Sequence, residues 1–124
     1  NENDLSREVK DTLYELKRKK IKIGIGSSSK NAKMILERIG IKDIFDVIVD
    51  GNDISNSKPD PEVFLKANER LGINKEKCLI VEDAEAGVNA ALAGSLDVAA
   101  IGDATKCNKA NYNLEYFEDI LNII

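Results

Sequence analysis

The chain has 124 residues, 43% of them hydrophobic but only 5% aromatic, which suits one domain with an aliphatic core. With 22 acidic residues against 18 basic ones the formal net charge is −4, a poor balance for nucleic-acid binding, which needs Lys and Arg to neutralise phosphates. Histidine is absent, so these residues hold no histidine triad, base or metal ligand, and two cysteines, Cys78 and Cys107, make no disulfide framework.

Asn3 or Asp4 is a candidate cap for a first helix that carries Leu5, Val9, Leu13 and Leu16 on one face. Lys17, Arg18, Lys19 and Lys20 at its end read as a solvated helix terminus favoured by the macrodipole. A strand is predicted over 21–25, ending at Gly26, where the polar cluster Ser27, Ser28, Ser29, Lys30 and Asn31 begins. A second helix carries Ala32, Ile35, Leu36 and Ile39 and stops at Gly40. Phe45 to Val49 reads as a short buried strand, and a loop runs from Asp50 to Lys58.

Asp60-Pro61 opens a third helix, with Asp as N-cap and Pro at the first helical position; Val63, Phe64, Ala67 and Leu71 form its apolar face and Gly72 ends it. Cys78 to Val81 is a continuous apolar strand, with Cys78 a core residue, and it leads into Glu82 and Asp83. An alanine-rich helix from Ala84 to Ala93 stops at Gly94. Leu96 to Ile101 reads as the last strand, 103–113 as irregular, and Leu114 to Ile124 as a closing helix. This alternation predicts an α/β fold, a three-layer Rossmann-like parallel sheet with helices on both faces.

Ligands of such sheets bind at the carboxyl ends of the strands, which directs attention to three segments. At Ser27–Asn31, hydroxyls and backbone N–H groups meet a helix N-terminus, a suitable place for a phosphate; helix capping alone would use the same residues. Its glycine spacing matches neither a Walker A loop nor a dinucleotide fingerprint. Pro59 and Pro61 stiffen the chain around Asp60 and fix where Lys58 points, either at an anion at the mouth of the sheet or into solvent beside a helix start. Glu82 and Asp83 at the end of a buried strand need a cation or hydrogen-bond donors. With phosphate oxygens and water they suit Mg²⁺, although Asp83 could serve only as a helix cap. Gly87 is expected to allow close packing of the alanine-rich helix.

Together a serine at a strand end, Lys58-Pro59-Asp60-Pro61 and Glu82-Asp83-Ala84-Glu85-Ala86-Gly87 resemble the haloacid dehalogenase-like phosphotransferase superfamily over nearly the whole chain. The forms of the first and last motifs look like its β-phosphoglucomutase branch rather than its phosphatases. The resemblance implies that Ser27 and the Ser28 amide hold the transferring phosphate and that Lys58 balances its charge. It also implies that Glu82 and Asp83 bind Mg²⁺, and that Ser29, Lys30 and Asn31 hold a second, non-reacting phosphate. The implied reaction interconverts β-glucose 1-phosphate and glucose 6-phosphate through a phospho-aspartate and a glucose bisphosphate.

The superfamily's Asp-x-Asp nucleophile motif and its helical cap are absent from these residues, and Asp50-Gly51-Asn52-Asp53 reads as a loop. Residues 1–124 therefore look like one partial core domain lacking the first central strand, inactive alone. The strands ending at Ser27 and Glu82 are expected either to pair directly or to leave a place for another segment, from the rest of the protein or a second copy. Two other functions compete with the mutase. One is a sugar-phosphate or phosphoglycolate phosphatase; the other is a non-catalytic phosphate-binding or dimerising fragment. A small sugar phosphate is the expected partner, with no nucleic acid and no membrane. No apolar run approaches the roughly 20 residues of a membrane helix, and no leader is visible, so a cytoplasmic location is the expectation.

Overall fold

The computed structural model describes residues 6–124. Helix α1 (Arg7–Arg18) is capped by Ser6, whose hydroxyl accepts the Val9 N–H at 3.2 Å, and buries Leu13 and Leu16. This replaces the expected cap; Asn3, Asp4 and Leu5 lie outside the described residues. As expected, the basic end of α1 faces solvent, with Lys17 reaching Asp46 at 3.3 Å.

Five short parallel strands follow: β1 (Gly24–Gly26), β2 (Val47–Val49), β3 (Leu79–Glu82), β4 (Asp97–Ile101) and β5 (Tyr112–Leu114). Between them lie α2 (Ala32–Arg38), α3 (Glu62–Leu71) and α4 (Glu85–Ala93), with 3-10 turns at Lys42–Ile44, Lys75–Lys77, Gly102–Cys107 and Phe117–Asn122. In β3 and β4, Ile80, Val98 and Ala100 join one core cluster with Val63, Phe64 and Val88 of α3 and α4. The alternate residues Leu79, Val81, Ala99 and Ile101 join a second cluster with Leu114 and Ile120. Strand side chains alternate between faces, so a sheet that buries both sets lies between two layers, as the α/β pattern predicts. Cys78 belongs to the first cluster, where burial pushes its thiol pKa up.

The sheet is split. Strands β1 and β2 pair in one half, with Ile25 opposite Ile48. In the other half β4 lies between β3 and β5, with Ile80 opposite Val98. Strands β1 and β3 do not pair. Between them lies a cavity of about 670 Å³, lined among others by Ile23, Ile25, Leu79, Val81, Phe64 and Phe117. Of the two arrangements open from the sequence, the structure adopts the one that leaves a place for a further segment.

Several boundaries differ from expectation. The strand predicted over 21–25 is Gly24–Gly26: the Ile21 N–H closes the end of α1 onto Leu16 O at 3.0 Å, and Ile23 is held by Asp46, whose carboxylate accepts the Ile23 N–H at 2.8 Å and whose own N–H reaches Ile23 O at 2.7 Å. The predicted strand from Phe45 shortens to Val47–Val49 for the same reason. Pro61 stands at the cap position and α3 begins at Glu62, though Asp60 Oδ1 still accepts the Glu62 N–H at 2.9 Å. Gly72 ends α3 in the left-handed region, as its C-terminal position favours. Within 103–113, expected to be irregular, lie most of the Gly102–Cys107 turn and the start of β5. Asn111 begins the β5 pairing by accepting the Val98 N–H with its side chain at 2.8 Å and donating its own N–H to Val98 O at 3.0 Å. The closing helix predicted from Leu114 is a strand end followed by a short 3-10 turn, which begins where Asp119 accepts the Tyr116 N–H.

Candidate active site at the mouth of the split sheet

Ser27 follows β1 directly, and its N–H continues the ladder to Val49 O at 2.9 Å. Its hydroxyl oxygen accepts the Ser29 N–H at 3.1 Å, and Ser29 Oγ accepts the Asn31 N–H at 3.1 Å. These bonds coil Ser27–Asn31 into a tight turn with Ser28, Ser29, Lys30 and Asn31 exposed at the strand end. Asn31 is the cap residue of α2 but makes no side-chain cap bond, so its amide stays available to a ligand.

The loop after β2 fixes this turn from the side. Gly51 N–H donates to Ser29 O at 2.9 Å and the Asn52 amide donates to Lys30 O at 3.1 Å. The contact is close enough that a Cβ at Gly51 would stand 2.3 Å from Ser28 O. Buried Asp50 shapes the loop by accepting the Asn52 N–H, and its own N–H reaches Asp53 Oδ2 at 3.0 Å. Asp50–Asp53 is thus a loop, as expected, and it buttresses the serine turn.

Lys58 crosses the mouth of the split. Its Nζ lies 3.3 Å from Gly26 O at the end of β1 and 3.2 Å from Glu82 Oε2 at the end of β3. It also sits 4.8 Å from the centroid of the Phe64 ring, whose face favours a cation. The segment before it is held by Glu62, whose carboxylate accepts the N–H groups of Ser55 and Asn56 at 2.8 to 3.1 Å. Those N–H donors, Asn56 first, and the Lys66 ammonium hold the Glu62 pKa below the usual carboxylate range. Lys66 in turn donates to Asp53 O. Lys58 therefore points to the mouth of the sheet rather than into solvent.

The side chain of Glu82 is 10% exposed, which makes a lone negative charge there costly. Besides Lys58, the N–H groups of Asp83 and Ala84 donate to its Oε1 at 3.1 and 3.2 Å. These two N–H groups lie just before α4, whose cap residue is Ala84, so Glu82 holds the turn that leads into the helix and Asp83 is not its cap. Asp83 is exposed, and its carboxylate makes no bond among the described residues. No group of three or more His, Cys, Asp or Glu able to hold a metal occurs among the described residues. Glu82 and Asp83 thus offer two of the oxygen donors Mg²⁺ uses, a number compatible with a site completed by water and phosphate oxygens.

The structure brings together the end of β1, Lys58 and Glu82, with Ser27 next in chain to Gly26 and Asp83 next to Glu82. Sequence reasoning missed Glu62, Gly51 and Asn52 as organisers of the site. A glycine and an asparagine in the loop facing a phosphate-type turn were the available signal for two of them. No described helix is long and apolar enough to cross a membrane.

Comparison with known proteins agrees with this arrangement. The profile described as "Haloacid dehalogenase-like hydrolase" matches residues 2–101. The β-phosphoglucomutase of Bacillus subtilis is 40% identical over 99 residues, covering 80% of this chain and 44% of that protein. A phosphorylated carbohydrates phosphatase of Thermotoga maritima is 35% identical over 91 residues, covering 72% of this chain and 42% of its own length. The crystal structure of β-phosphoglucomutase from Clostridium difficile superposes with a TM-score of 0.89 at 35% identity, covering 98% of this chain and 57% of that one. The chain spans about half the length of these relatives. On these residues and this fold, the chain belongs to the haloacid dehalogenase-like hydrolase family.

Proposed function

We propose that residues 1–124 form one partial core domain and supply half of a Mg²⁺-dependent phosphoryl-transfer site for a sugar phosphate, acting as a β-phosphoglucomutase. The observation that carries this reading is Lys58 at the joint carboxyl ends of β1 and β3, between Gly26 O and Glu82 and beside the serine turn. An ammonium fixed there offsets the charge of a transferring phosphoryl group. Ser27 Oγ and the Ser28 N–H hold that group, and Ser29, Lys30 and Asn31 hold the second phosphate of a bisphosphate. Glu82 and Asp83 are the residues to hold Mg²⁺, which supplies further charge neutralisation when bound.

The attacking carboxylate belongs to a strand seated in the cavity between β1 and β3, where both facing strand edges need partners. Such a strand ends beside Lys58 and Asp83 and adds the further oxygen donor. The reaction is the interconversion of β-glucose 1-phosphate and glucose 6-phosphate. A sugar-phosphate phosphatase is the second reading, favoured by the likeness to the Thermotoga enzyme and by a fructose-1-phosphate phosphatase of Escherichia coli, 32% identical over 84 residues.

The test is to incubate the protein carrying this chain with β-glucose 1-phosphate, a trace of glucose bisphosphate and Mg²⁺. Glucose 6-phosphate without inorganic phosphate supports the mutase. Stoichiometric inorganic phosphate assigns the phosphatase, and neither product refutes phosphoryl transfer on this substrate.

A further inference from the structure

Gly87 lies buried in the first turn of α4. Its φ is outside the left-handed region, so the backbone does not require glycine there. The side chain of Glu82 does. A Cβ at position 87 would stand 2.0 Å from Glu82 Cγ, 2.0 Å from Cδ and 2.2 Å from Oε2. All three nearest atoms belong to Glu82, and all are far inside van der Waals contact. Any side chain at 87 and the present Glu82 conformation exclude each other.

We infer that Gly87 is a positioning residue for Glu82: the space left by its missing Cβ is what lets the carboxylate fold back over α4, accept the Asp83 and Ala84 N–H groups and face Lys58. The expectation that this glycine serves helix packing gives way to a side-chain cradle. Without the cradle, Glu82 swings out, Lys58 keeps only Gly26 O and the Phe64 face, and the carboxylate pair loses its arrangement. The geometric assignment stands on these contacts; its consequence for Mg²⁺ rests on the phosphoryl-transfer reading.

The test compares Gly87→Ala, Glu82→Ala and the double variant in the protein carrying this chain. Amide resonances of Asp83 and Ala84 report the Glu82 carboxylate directly, and calorimetry with Mg²⁺ alone reports metal affinity. Gly87→Ala is expected to move both amides toward their Glu82→Ala positions and to weaken Mg²⁺ binding about 10- to 100-fold. In the Glu82→Ala background the same substitution is expected to move neither amide further. If Gly87→Ala fails to fold, folding of the double variant confirms the cradle and its failure overturns it. Wild-type amide positions in Gly87→Ala, or equal shifts in both backgrounds, also overturn it. A wild-type protein that binds no Mg²⁺ counts against the metal reading, while the amides still decide the role of Gly87.

Discussion

Replacing Lys58 with Met removes an ammonium that links the two half-sheets, from Gly26 O to Glu82. At 3.2 Å and an effective dielectric of about 20, the gross attraction to Glu82 is about 5 kcal/mol, much of it offset by desolvation. The variant leaves a carboxylate that is 10% exposed with two of its three donors, the Asp83 and Ala84 N–H groups. The expected loss is about 2–3 kcal/mol, less than the roughly 3–5 kcal/mol of a fully uncompensated buried charge. Glu82→Gln costs less, about 1 kcal/mol, because Lys58 is 21% exposed and retains the Phe64 ring. The double variant costs about 2 kcal/mol, so the cycle gives a coupling of about 1–2 kcal/mol. Urea unfolding of the four proteins, followed by circular dichroism, measures it. Additive losses within about 0.3 kcal/mol would refute the argument that Lys58 and Glu82 hold each other at the mouth.

Gly51→Ala places a Cβ against Ser28 O and Lys30 and shifts the serine turn. Steady-state kinetics are expected to show KM for the sugar phosphate rising about 10-fold, a change of about 1.4 kcal/mol, with kcat changed less. The depressed Glu62 pKa contributes stability that is complete above the ordinary carboxylate range and is lost as pH falls through the lower, folded-state value. Glu62→Gln is therefore expected to flatten the acid limb of a melting-temperature profile below about pH 4.5, the usual glutamate range. It is also expected to raise exchange of the Ser55 and Asn56 amides. Leu96→Ala, at a residue 2% exposed in the main cluster, is expected to cost about 2–5 kcal/mol in urea unfolding while leaving KM unchanged.

Much of the site was legible because its chemistry sits at element boundaries that local rules mark. Gly72 and the 3.6-residue spacing of Val63, Phe64, Ala67 and Leu71 marked α3, and the apolar run Leu79–Val81 marked β3. Those two elements deliver Lys58 and Glu82 to one edge. What could not be read was relational. Nothing local in Ile21–Ile25 says that Asp46 takes both backbone bonds of Ile23 or that β1 has one neighbour only among the described residues. The segment Tyr112–Leu114 is three residues long with Tyr112 and Asn113 both exposed, so its strand was invisible to periodicity. Asp83 follows the strand and precedes the helix, the usual place of a cap. Yet the cap residue is Ala84, and Glu82 accepts the Asp83 and Ala84 N–H groups just before α4, since a longer side chain folds back where Gly87 leaves room.

Phosphate is expected to bind at the mouth between Gly26 and Glu82. The direct measurement is calorimetric binding of inorganic phosphate to the wild-type protein and to Lys58→Met, Ser27→Ala and, as a control at the C-terminal end of α1, Arg18→Met, whose guanidinium pairs with Glu15. Binding at least about 10-fold weaker, about 1.4 kcal/mol, is expected for the first two variants and no change for the third. Unchanged binding in Lys58→Met and Ser27→Ala would contradict a phosphate site at the mouth.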